Sequence, residues 1–164
     1  MESVALRTSG FNKNKERNFD KKREKERKDM RDENCIFCKI ANGEIPAATL
    51  YEDEDFRVIL DLGPASRGHA LILPKEHYAN LYELDDEVAK KVLVLAKKMI
   101  TKLTGVLGCD GYNLVQNNGE AAGQTVHHFH MHLIPRYEGD KVGITWEPGT
   151  LSEEDKEEIL SKMK

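Results

Sequence analysis

Three histidines, His128, His130 and His132, occupy every second position of the stretch Val126-His127-His128-Phe129-His130-Met131-His132-Leu133-Ile134. Read as a β-strand, its period of two sends the three imidazoles to one face. Phe129, Met131 and Leu133 then point to the other face, where an apolar core would take them. Packing does not call for three imidazoles in a row, because each ring carries two nitrogens that need partners. Imidazoles change charge near neutral pH, so such a row suits nucleophilic, acid–base or metal-ligand chemistry. His127 faces the other way and stands outside the set. The loop before this strand holds Asn117, Gly119, Gly123, Gln124 and Thr125. Glycines let backbone N–H groups approach an anion closely, and Asn, Gln and Thr side chains add neutral donors. Alone, that loop reads as an ordinary turn. Next to three histidines, it describes a site that holds a phosphate and attacks it.

Such a row needs a sheet and a core behind it, and the chain supplies the parts. Short strands are expected at Thr49 to Glu52, at Phe56 to Leu60 and at His69 to Pro74. A fourth is expected at Tyr112 to Gln116, ahead of the histidine strand, which closes at Pro135. Cys35 to Ala41 reads as a helical turn ended by Asn42-Gly43, and Pro74 to Tyr82 as a short helical connection. A long helix starts at its cap Asp85 and runs to about Thr104, stopped by Gly105 and Gly108. Val88, Val92, Leu95, Ala96, Met99 and Leu103 give it one apolar stripe, and Lys90, Lys91, Lys97 and Lys98 a cationic side. After Trp146, Pro148 and Gly149 a short helix is expected, capped by Ser152 with Asp155 three places on. The strand spacing favours an antiparallel sheet and an α+β fold over a βαβ repeat.

At 164 residues the chain suits one domain. Residues 1–33 stand apart: eleven Lys and Arg against eight Asp and Glu, with few apolar residues, predict a disordered tail or a solvated helix. Interleaved acids such as Glu24, Glu26 and Asp29 argue against a nucleic-acid-binding arm there. Residues 34–140 form the expected domain and 141–164 a C-terminal segment. Three cysteines do not make a disulfide framework, and a reducing cytoplasm is expected. No stretch reads as a secretory leader or a membrane span. The net charge of -4 steers toward no partner class.

The pattern His-φ-His-φ-His-φ-φ (φ apolar) from His128, the Asn-x-Gly-x-x-x-Gly-Gln-Thr from Asn117 to Thr125, and Gly-His-Ala-Leu-Ile-Leu-Pro-Lys from Gly68 to Lys75 together resemble the histidine triad (HIT) family. The resemblance covers residues 35 to about 137. It implies a five-stranded antiparallel sheet with one long helix and short helices. It also implies a homodimer whose two sheets run on as one of ten strands. Its chemistry would be hydrolysis or transfer at the α-phosphate of a purine nucleotide through a nucleotidyl-histidine intermediate. By the same resemblance His130 is the nucleophile, His132 assists at the phosphate oxygens or with the proton, and His69 supports the triad. Asn117, Gly123, Gln124 and Thr125 would hold the phosphate, Asp61 the ribose hydroxyls, and Leu62 the base or sugar.

Cys35-x-x-Cys38 has metal-ligand spacing but no second pair, so two buried thiols or a redox couple remain open on the residues alone. The resemblance to bacterial members with this pair implies a zinc site completed by His77 and His128. Cys109 has no partner in that scheme. The substrate classes implied are nucleoside phosphoramidates and dinucleoside polyphosphates; nucleotidyl transfer, or a nucleotide-binding module with incidental catalysis, are the alternatives. The segment around Trp146 is expected to reach a neighbouring active site and affect substrate choice.

Overall fold

Ala70-Leu71-Ile72-Leu73-Pro74 is apolar at every position because both of its faces are covered. The structure, a computed structural model, describes residues 30–164. Its elements are α1 (Ile36–Ala41), β1 (Thr49–Glu52), β2 (Phe56–Leu60), β3 (Ala70–Pro74), α2 (Asp86–Leu107), β4 (Gly111–Val115), β5 (Met131–Arg136) and α3 (Glu153–Lys162), with a 3₁₀ turn at Glu120–Ala122. The five strands form one antiparallel sheet in the order β1-β2-β3-β5-β4. Alternation along β3 divides the interior in two. Ala70 and Ile72 join Phe56, Val58, Phe129 and Leu133 beneath Val92, Leu95, Ala96 and Met99 of α2. Leu71 and Leu73 face the other way, with Ile59, against Phe37, Ile40 and Ala41 of α1. In the β3–β5 ladder Leu71 lies opposite His132 and Ala70 opposite Leu133. Directly opposed residues share a face, so His132 belongs to the α1 side of the sheet and Leu133 to the α2 side.

The expected α+β fold with one long helix is the one observed, with four local differences. The long helix passes through Gly105 and ends only at Gly108, which adopts the left-handed conformation at φ 63°. A glycine inside a helix costs about 1 kcal/mol, which packing readily offsets, whereas a positive φ ends it. Pro74 closes β3, and residues 75–82 form bends and turns instead of a helix. Their backbone groups are taken by distant partners: Phe129 N–H donates to Tyr78 O (2.6 Å) and His77 N–H to Met30 O (2.8 Å). That last bond also ties Met30 into the domain, slightly before the expected start at Asn34. The histidine strand begins at Met131 and not at Val126.

The expectation for the N-terminal extension falls mostly on residues 1–29, outside the described ones. At the other end, α3 is capped as expected, Ser152 Oγ accepting the Asp155 N–H at 3.0 Å. Every residue of α3 is exposed. Among the described residues no helix is long and apolar enough to cross a membrane.

Candidate active site

Residues 126–130 run as an irregular segment whose shape is set by bonds to other parts of the chain. The Phe129 amide is held by Tyr78 O, which drives the Phe129 ring into the α2 core, where it is wholly buried. His128 and His130, on either side of it, are thereby turned toward the α1 face that His132 shares through the ladder. The predicted alternation of side chains survives, but only His132 owes its place to the sheet. His127 is exposed and takes no part.

Each ring tautomer follows from a backbone partner. His130 Nδ1 lies 2.7 Å from the His128 carbonyl oxygen. A carbonyl only accepts, so His130 carries its proton on Nδ1 and presents the lone pair of Nε2. His69 Nδ1 accepts the Ala65 N–H at 3.0 Å. Its proton is therefore on Nε2, which donates to His132 Nδ1 at 2.9 Å. Neutral His132 is left with its N–H at Nε2. The His130 and His132 rings lie 4.9 Å apart between centroids, and the His69 and His132 rings 5.1 Å apart. Burial, with His130 and His69 nearby, holds His132 down at about 4. Burial also lowers His69, against the opposing pull of Asp61, whose Oδ2 is 3.7 Å from His69 Nε2. Around neutral pH this yields a neutral His132 that donates from Nε2, beside a His130 ring anchored through Nδ1. A nucleophile and a donor side by side suit displacement at an anionic phosphorus.

His128 has the opposite arrangement. Its Nε2–H donates to Pro74 O at 3.0 Å, leaving the lone pair on Nδ1. That nitrogen lies 3.4 Å from Cys35 Sγ and 3.5 Å from Cys38 Sγ, and His77 Nδ1 lies 3.4 Å from Cys38 Sγ. All four ligand atoms fall within 4.8 Å of one another. Zinc held tetrahedrally by sulfur and imidazole nitrogen would place S and N about 3.5 Å apart. The observed spacings match that figure. A ligand imidazole whose other nitrogen is anchored to a carbonyl is also the usual supporting arrangement. Burial pushes the Cys38 thiol up to about 11 and His128 down to about 4, so the bare groups favour their neutral forms. A cation among them would draw the thiols to thiolates. The four residues can hold a metal.

The remaining candidates are placed as follows. Asp61 Oδ1 accepts the Gly63 N–H at 2.8 Å, and Leu62 beside it is 96% exposed. In the loop, Gly119 and Gly123 both adopt positive φ, 84° and 83°, around the 3₁₀ turn. Asn117 lies alongside Gly123, and Thr125 is exposed. Gln124 differs from its expected role. It is buried, its amide N–H groups donate to Ala79 O (2.6 Å) and Val126 O (3.0 Å), and its oxygen accepts the Gly119 N–H (2.9 Å). With its backbone N–H bound to Gly119 O as well, no donor of Gln124 is left for a phosphate, and the residue braces the loop from within. Two other contributors were not legible in the sequence, the Ala65 N–H and Phe37. The Phe37 ring meets His128 and His130 edge-on. Nothing local marks either one, because their partners are remote along the chain. A cleft of about 520 Å³ lies elsewhere. Six carboxylates and two lysines line it, a charge balance that repels phosphate.

Comparison with known proteins agrees with this geometry. The HIT domain model matches residues 42–139. An uncharacterised HIT-like protein of Methanocaldococcus jannaschii is 47% identical over 130 residues, 79% of this chain and 98% of that one. The adenosine 5'-monophosphoramidase of Schizosaccharomyces pombe is 44% identical over 135 residues, 79% of this chain and 98% of that protein. Among solved structures, a zinc-bound histidine triad family protein from Mycobacterium smegmatis aligns with a TM-score of 0.65 at 38% identity, covering 71% of this chain and 84% of that one. The matched sequence, the antiparallel sheet and the histidine arrangement together place this chain in the HIT domain family.

Proposed function

We propose that this protein hydrolyses nucleotides at the α-phosphate, with a purine nucleoside phosphoramidate as the leading substrate class and dinucleoside polyphosphates as the close alternative. The observation that carries the reading is the bond from His130 Nδ1–H to the His128 carbonyl, which leaves Nε2 free to attack. The name of the Schizosaccharomyces pombe relative supports a phosphoramidate as the substrate class, with an amine as leaving group.

In this reading the His130 Nε2 lone pair forms a bond to phosphorus while the bond to the amine or phosphate leaving group breaks. The leaving group takes a proton from solvent, which the later attack of water gives back, and the product is a nucleotidyl-histidine. Water then cleaves the P–N bond, releasing a nucleoside monophosphate and returning His130. The His132 Nε2–H donates to a phosphoryl oxygen, and His69 holds His132 in that tautomer. Asn117, Gly123 and Thr125 bind the phosphate, and Asp61 and Leu62 the nucleoside. Cys35, Cys38, His77 and His128 hold structural zinc, which ties α1 to the sheet and favours a reducing compartment such as the cytoplasm for the thiolates.

A homodimer fits the exposed residues. Leu93 (59% exposed), Val94 (72%) and Val106 (71%) lie on α2 and Leu114 (40%) on the edge strand β4, and pairing two β4 edges would cover both. A monomer mass in light scattering at micromolar concentration would remove the dimer. The segment at Trp146, itself 82% exposed, would then reach the neighbouring site.

The decisive experiment follows AMP release from adenosine phosphoramidate and diadenosine tetraphosphate with wild type and His130→Ala. Release by wild type that is lost in the variant supports the triad as catalytic, and the faster substrate names the class. Tight AMP binding without release from either substrate would reject hydrolysis in favour of a binding module.

A further inference from the structure

One hydrogen bond does not aim an imidazole. The bond from His130 Nδ1 to the His128 carbonyl draws the ring one way, but the χ2 torsion of histidine is broad, and rotation about it carries Nδ1 off that oxygen. A second contact must hold the plane if Nε2 is to stay in line. The Phe37 ring stands against His130 at 5.0 Å between centroids and 82° between planes, within the range that edge-to-face aromatic pairs prefer. It meets His128 in the same way at 6.1 Å and 85°.

Phe37 is itself fixed from two sides. It lies between Cys35 and Cys38 in sequence, in a turn closed by the Cys38 N–H to Cys35 Sγ bond at 3.4 Å. It also packs against Ala41, Ile59, Leu71 and Leu73. The cluster at Cys35, Cys38, His77 and His128 thus reaches the nucleophile by two routes, the His128 carbonyl and the Phe37 ring. We propose that Phe37 is a positioning residue for His130, through which the Cys35–Cys38 turn sets the plane of the attacking imidazole. The kinetic part of this rests on His130 being the nucleophile, as in the function proposed above. The ring-aiming part does not.

The test compares wild type, Phe37→Leu, which keeps an apolar side chain in the packing, and Phe37→Tyr, which keeps the ring edge. Three readouts are taken: zinc content, steady-state kinetics with adenosine phosphoramidate, and the ¹⁵N signals of the His130 ring without substrate, at about pH 8 where an ordinary imidazole is neutral. Phe37→Leu is expected to keep its zinc, to lower kcat by about tenfold with KM within about twofold, and to turn a single Nδ1–H tautomer signal into an averaged one. Phe37→Tyr is expected to recover most of the kcat and the single tautomer. A raised KM with unchanged kcat would overturn the proposal, making Phe37 a wall for the nucleotide. Zinc lost together with activity in Phe37→Leu would also overturn it, because the role would then be structural. An inactive wild type whose His130 signals still respond to Phe37→Leu would sink the hydrolase reading and leave the positioning role. An active wild type with unmoved ring signals would do the reverse.

Discussion

His128 and His130 differ by two positions and look alike in the sequence, yet the fold uses them in opposite ways. His128 gives its Nε2 proton to Pro74 O and turns Nδ1 to the two thiols. His130 gives its Nδ1 proton to His128 O and leaves Nε2 open. Neither ring chooses by its own chemistry, since the two tautomers of an imidazole are close in energy. The choice falls to whichever carbonyl the fold brings within reach. One backbone turn therefore fits one ring to the proposed metal site and the other to the proposed attack on phosphorus. The two proposed roles are also joined in series, because the residue that lies against the thiols supplies the carbonyl that orients His130.

That contrast can be broken most sharply by a pair of substitutions. His130→Ala is expected to lower AMP release by about 10⁴-fold or more while zinc content and melting temperature stay close to wild type. His128→Ala is expected to lose zinc, as judged by metal analysis. Zinc removal by a strong chelator should destabilise the wild type by about 3–5 kcal/mol in a denaturant titration. Equal loss of metal in both variants would erase the division of labour.

A smaller effect is expected one pleat further on. His132→Gln keeps a donor but not the ring, and should lower kcat by about 10²-fold with metal retained. A change confined to KM would make His132 a binding group only.

The pH dependence gives a finer test. His132 is held at about 4 in the folded chain, mainly by burial, against about 6.5 unfolded. Between those values the unfolded chain binds the extra proton, so this contribution is whole above about pH 6.5 and is lost as pH falls toward 4. After allowance for its partial exposure it amounts to about 1–2 kcal/mol, and His132→Gln should lose correspondingly less stability on acidification. Identical acid profiles for the two proteins would contradict the assignment. The smallest effect belongs to the loop brace: Gln124→Ala should cost about 1 kcal/mol in thermal or denaturant unfolding by leaving the Gly119 N–H and the Ala79 carbonyl without partners. Loss of phosphate affinity without loss of stability would return Gln124 to the binding role expected from its neighbours.

Local signals carried much of the fold. The bounds of β1 and β2, the Asp85 and Ser152 caps and the apolar stripe of α2 depend on neighbours within a few residues, and they were legible as written. The same holds for the alternation that sends Phe129 and Leu133 into one core and His128, His130 and His132 to the opposite face. The long-range decisions were not legible. The irregular backbone at 126–130 and the turns at 75–82 arise because Tyr78 O, Ala79 O and Met30 O accept from residues far along the chain. Gln124 reads as a phosphate donor in its motif, but both its N–H groups meet carbonyls that no motif mentions. Phe37 reads as a spacer between two cysteines, until the fold sets its ring against His130. The sequence by itself determined which side chains are present, their alternation and their spacing, because those follow from periods of two and 3.6 along the backbone. Only the tertiary structure decided which nitrogen of each imidazole carries the proton. That depends on a carbonyl or N–H supplied by another segment, and hydrogen bonds act over about 3 Å of space whatever the distance along the chain.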